Sequence, residues 1–196
     1  MGVADMLNQL GVSYDSKEGI AIITQVMEFI TNAAYQASAS LAGEKGASPI
    51  YSEDDYMECP FIEAALSQET QTFIRENGIR NIAIMSIAPT GSISNIIKGF
   101  QIDDKNYIGV SGGVEPIFAL YYTRRTESFK KTEFYKIFHS TVQAYIDKMN
   151  LQGEIDSKGK VEDALPNYFH RTAHHINPDK RVIIQGKIQR YIDHSI

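Results

Sequence analysis

At 196 residues the chain is long enough for one core-forming domain or a large piece of one. Its net charge of -5, with no Lys/Arg cluster, argues against a broad nucleic-acid-binding face, and no apolar run approaches bilayer length. The single cysteine, Cys59, excludes an internal disulfide; with no basic leader at Met1-Gly2-Val3-Ala4-Asp5, the expected compartment is a reducing cytoplasm.

Gly2 to Leu10 reads as a short helix, or the tail of a longer one, ended by Gly11. Ser16 opens a long helix carrying Ile20, Ile23, Met27, Ile30, Ala34 and Ala37 at three- and four-residue spacing. It is expected to run to about Leu41 and to stop before Gly43 and Gly46. Ser48 to Pro60 is acidic and irregular, and Cys59 within it has no Cys or His close by, so it reads as an ordinary thiol. Ser67 to Asn77 reads as a helix stopped by Gly78, and Asn81 to Ala88 as a buried, Ile-rich strand.

Pro89 ends that apolar run, and Thr90, Gly91, Ser92, Ile93 and Ser94 read as the first turn of a short helix. A helix start leaves backbone N–H groups unpaired beside the positive end of the dipole, an arrangement suited to a phosphate. Gly91 would let a ligand approach the backbone, and the hydroxyls of Thr90, Ser92 and Ser94 could add bonds to phosphate oxygens. Read alone, the same residues fit an ordinary N-cap equally well.

Ile97 to Ile108 is a polar excursion, and Phe118 to Thr126 a second strand rich in β-formers. Thr132 to Met149 reads as one helix, with Phe134, Ile137, Phe138, Val142, Tyr145, Ile146 and Met149 on a face. Gly153 to Lys160 reads as a charged linker, Ala164 to Ile176 as a short helix, and Pro178 as the start of a last helix. His170 and His174 are spaced like metal ligands, with His175 adjoining, but there is no Glu between them and no third ligand nearby. Surface or capping roles are therefore expected, and no metal. Arg124 and Arg125 suit phosphate chemically, yet successive strand residues face opposite ways, so both stay unassigned.

Three motifs occur in order: Pro89-Thr90-Gly91-Ser92-Ile93-Ser94, then Ser111-Gly112-Gly113-Val114-Glu115-Pro116, then Tyr122-Thr123-Arg124-Arg125. Together they resemble the large catalytic subunit of ribonucleotide reductases, and Phe118-Ala119-Leu120-Tyr121-Tyr122-Thr123-Arg124-Arg125 is similar to the adenosylcobalamin-dependent class. Met1 to Leu7 and Tyr191 to Ile196 fit two helices of the same family. The resemblance implies an α/β fold, part of a ten-stranded α/β barrel. Residues 1–196 would be a segment of its second half with no internal boundary, mostly helical, with barrel strands at Asn81–Ala88 and Phe118–Thr126.

The resemblance also assigns Pro89, Thr90, Gly91, Ser92, Ile93 and Ser94 to the phosphates of a ribonucleotide substrate. It implies adenosylcobalamin as cofactor of the complete enzyme, but no role can be derived for Glu115 at its motif. Family chemistry needs a radical cysteine and two reducing cysteines, and one cysteine cannot fill three places. No catalytic residue is therefore assigned within the chain. The implied partner is a complementary N-terminal segment carrying an Asn-x-Cys-x-Glu loop; neither a nucleic acid nor a membrane is expected. Three accounts fit: a subunit of a split enzyme, a piece of a longer one, or a non-catalytic nucleotide-phosphate-binding or regulatory module. The positions of Met1 and Ile196 inside family motifs favour the first two.

Overall fold

A long helix, Lys17–Lys45, begins where the Ser16 hydroxyl accepts the Gly19 N–H at 2.9 Å and ends before Gly46, whose φ is 83°. The computed structural model describes residues 1–90, 92–93, 99–102, 105–110, 112–128, 131–158 and 161–194. In chain order its helices are α1 (Val3–Leu10), α2 (Lys17–Lys45), α3 (Glu53–Met57), α4 (Pro60–Ala65) and α5 (Gln68–Asn77). Two hairpins follow, β1 (Phe100–Ile102) with β2 (Lys105–Tyr107) and β3 (Tyr121–Ser128) with β4 (Lys131–Phe138). Then come α6 (Ser140–Met149), α7 (Gln152–Lys158), 3-10 turns at Glu162–Ala164 and Asn167–His170, and α8 (Pro178–Gln189). None of the described helices is long and apolar enough to cross a membrane.

The chain divides into two compact units, Met1–Gly19 with Pro89–Asn177, and Ile20–Ala88 with Pro178–Ile196. The first unit is built on Leu120, Val142, Ile146, Ile155, Val161, Leu165 and Phe169, with the α6 face as its centre. Its α1 is fastened by the buried Asp5 carboxylate, which accepts the Thr141 hydroxyl at 2.6 Å from the first turn of α6. The second unit is built on Tyr35, Ala39, Ile62, Leu66, Ile74 and Ile79. There α5 starts at Ser67, whose hydroxyl accepts the Thr70 N–H, and stops at Gly78 with φ 75°.

Several expectations need correction. Asn81–Ala88 forms no strand. Its backbone is held instead by a carboxylate: Asp193 accepts Ile84 N–H at 2.6 Å and Met85 N–H at 2.8 Å. His194 N–H then donates to the Met85 carbonyl at 3.2 Å. The second expected barrel strand exists as β3, but it pairs antiparallel with β4 in register Tyr121↔Phe138 to Ser128↔Lys131. A parallel partner requires a crossover, whereas β4 is the next β-forming stretch along the chain. Lys131–Phe138 is accordingly strand, and the helix expected from Thr132 begins only at Ser140. Thr132, Phe134, Tyr135, Ile137 and Phe138 have high strand propensity, which wins where the apolar pattern suits either period. The polar excursion contains β1 and β2, the charged linker contains α7, and the acidic stretch contains α3. Ala164–Ile176 has a 3-10 turn at Asn167–His170 in place of an α-helix.

Candidate functional site

The turn that follows Ala88 belongs to the first unit, and it packs on one neighbour far away in sequence, Gly113. Thr90 has φ 56°, a left-handed conformation rare for a β-branched residue, so the helix expected from Thr90 does not begin there. Its hydroxyl donates to the Pro89 carbonyl at 2.8 Å. Ser92 and Ile93 lie in an exposed turn, whereas Gly91 and Ser94 fall outside the described residues.

Gly113 lies against this turn. A Cβ on Gly113 would overlap Thr90 Oγ1 and come within 3.3 Å of the Pro89 carbonyl oxygen. The first and second family motifs, separated by the β1–β2 hairpin, are thereby brought into contact. The Gly-Gly pair is itself anchored: Gly2 N–H donates to the Gly112 carbonyl at 3.1 Å and Val3 N–H to the Gly113 carbonyl at 3.3 Å. The first amides of α1 are thus engaged by protein and are not open to an anion. Gly2 has φ 79°, and a Cβ there would stand 2.8 Å from Val110 Cγ1. Val110 and Gly113 therefore grip the start of α1 from one loop.

Other candidates have surroundings of their own. Glu115 is exposed. Arg124 and Arg125 sit on β3, opposite Tyr135 and Phe134, and both are exposed. The histidines have separate partners: His170 Nε2 with the Leu165 carbonyl at 3.1 Å, and His175 Nδ1 with Thr172 Oγ1 at 2.8 Å. The His174 ring lies against Phe118 at 5.8 Å between ring centres, tilted by 43°. Among the described residues no three His, Cys, Asp or Glu side chains converge as a metal site.

Sequence reasoning missed a polar cluster in the second unit. Asp193 accepts the Tyr35 hydroxyl at 2.5 Å besides the two amides, and Tyr56 donates to the Ile82 carbonyl at 3.3 Å. Burial, then the bond to Asp193, push the Tyr35 phenol far above its ordinary range. Burial pushes Tyr56 up to about 12. These groups border a cavity of about 290 Å³ that also includes Phe61, Ala83 and the exposed thiol of Cys59. The legible signal was the lone acidic residue in Tyr191-Ile192-Asp193-His194, directly after two residues that are buried.

The family model for the ribonucleotide reductase barrel domain matches residues 1–196. A vitamin B12-dependent ribonucleoside-diphosphate reductase of Mycobacterium tuberculosis is 30% identical over 204 residues, covering 100% of this chain and 25% of that protein. One with the same description from Thermoplasma acidophilum is also 30% identical, covering 100% of this chain and 23% of its own length. The ribonucleoside-diphosphate reductase subunit alpha of Chlamydia trachomatis is 28% identical, over 98% of this chain and 20% of that protein. The chain thus spans about a quarter of the length of the first two relatives. With its motifs in family order and the whole chain matched, this protein belongs to the ribonucleotide reductase family, in the region of the barrel domain.

Proposed function

We propose that this chain is the part of a ribonucleoside-diphosphate reductase that grips the substrate's phosphates, through Pro89, Thr90, Gly91, Ser92, Ile93 and Ser94. The observation that carries this reading is the packing of Gly113 on Pro89 and Thr90, which places two family motifs at one point. Phosphate oxygens would be bound by amides of the turn and by the hydroxyls of Ser92 and Ser94. Thr90 contributes the turn's shape, because its hydroxyl is already engaged by the Pro89 carbonyl. Phosphate carries no base identity, so the turn serves purine and pyrimidine ribonucleotides alike.

Reduction itself requires residues beyond this chain, since Cys59 is its only cysteine. A complementary segment with an Asn-x-Cys-x-Glu loop would supply them. Phe118 at 74% exposure and Ile50 at 78% are the kind of apolar surface such a partner covers. The relatives' vitamin B12 dependence supports adenosylcobalamin as the radical source of the complete enzyme. Two cavities among the described residues, of about 290 and 440 Å³, are each too small for a corrin with its nucleotide tail.

Steady-state kinetics on the active assembly containing this chain test the reading. Ser92→Ala should weaken substrate binding by about 1–2 kcal/mol, by removing one charge-assisted bond. Gly91→Val should do more harm, because a branched side chain crowds the backbone where phosphate approaches. Both should raise KM for purine and pyrimidine substrates equally. Unchanged kinetics in Gly91→Val would make the turn a structural cap.

A further inference from the structure

We infer that Gly113 is a positioning residue: its missing side chain creates the space that holds Thr90 in the conformation from which the turn meets phosphate. This rests on the phosphate reading above and adds the device that shapes the turn.

A β-branched residue at φ 56° is strained, and such a conformation persists only where its surroundings enforce it. Three contacts do so here. The Thr90 hydroxyl is tied to the Pro89 carbonyl, Gly113 seats that hydroxyl where any Cβ would stand, and α1 fixes Gly113 through the Val3 N–H. Gly113 is not among the residues with positive φ, so its own backbone does not demand glycine. The demand comes chiefly from the Thr90 hydroxyl, with the Pro89 carbonyl oxygen 3.3 Å from where a Cβ would stand. An alanine at 113 is therefore compatible with its own loop and harmful only through the turn it touches, which makes the residue a clean probe.

The test is a double-mutant cycle in the active assembly, with ADP and CDP as substrates and inorganic pyrophosphate as competitor. Gly113→Ala should raise KM for both nucleotides, and Ki for pyrophosphate, about tenfold, with kcat within about twofold. Thr90→Ala removes the atom that collides. In that background Gly113→Ala should change KM by less than about threefold, the mark of direct coupling. If Gly113→Ala alone does not assemble, comparing Thr90→Ala with the double variant still decides. Effects that multiply independently, or an unchanged KM in Gly113→Ala, overturn the positioning role; a raised KM in Ser92→Ala then leaves the phosphate reading standing. Coupling confined to thermal stability, with KM and pyrophosphate Ki unmoved in Ser92→Ala and Gly91→Val as well, overturns the phosphate reading and this proposal with it.

Discussion

Residues 81–88 in the second unit and the stretch that forms β3 in the first both read as barrel strands in the sequence, yet their backbones are satisfied by different means. In β3 the partners are spread along eight paired residues of a hairpin, so no one group matters greatly. In the other segment one carboxylate, Asp193, takes two adjacent amides and ties them to the Tyr35 hydroxyl on α2. The difference teaches that a segment without a ladder can be fixed by a concentrated acceptor, at the cost of depending on it.

The largest expected effect follows from that dependence. Asp193→Ala leaves two amides and a phenol without their acceptor and should destabilise the second unit by about 3 kcal/mol. Asp193→Asn, which retains one acceptor oxygen, should recover part of the loss. Urea unfolding of the two variants beside the parent measures both. A loss no larger than that of an ordinary surface substitution would show that the segment holds itself.

A pH dependence comes next, and it separates the two units. Tyr35 and Tyr56 have folded pKa values raised above the ordinary tyrosine value, so the folded state keeps protons that the unfolded chain releases. Their contribution is complete below about pH 10 and is lost as pH rises toward about 12, where Tyr56 itself ionises. Alkaline titration followed by tyrosinate absorbance should show a late, cooperative step that coincides with loss of the second unit's structure. Asp193→Ala should move that step to lower pH.

The smallest effect belongs to the first unit. Burial holds His139, at the start of α6, below its ordinary pKa, while Asp5 pulls the other way. A lowered folded value means the stability is complete above about pH 6.5 and declines as pH falls through the folded pKa. His139→Gln should flatten the mild acid limb of a stability curve measured above the carboxylate range. An unchanged limb would assign that loss to other groups.

Local chemistry was readable from the sequence and tertiary choice was not. Gly11 and Gly78 stop helices because only glycine takes φ near 75° without strain, and Ser67 caps α5 as its type suggests. The apolar spacing of α2 marked its start, but the helix runs through Gly43 to Lys45, four residues past the expected end at Leu41. Phe134, Ile137 and Phe138, by contrast, fit both a helical stripe and a strand, and only pairing with β3 decides. Pro89-Thr90-Gly91 announced a turn, but the left-handed Thr90 depends on Gly113, a contact no local pattern encodes. Asp193 likewise looks like any helix-end carboxylate until the chain brings Ile84 and Met85 to it.

The central claim is that the turn after Ala88 receives substrate phosphate, and a structure of the active assembly with bound ADP tests it most directly. The diphosphate oxygens should lie about 3 Å from amides between Gly91 and Ser94, with Gly113 still seated against Thr90. A diphosphate bound elsewhere in the same assembly, with the turn in contact only with protein, would contradict the account.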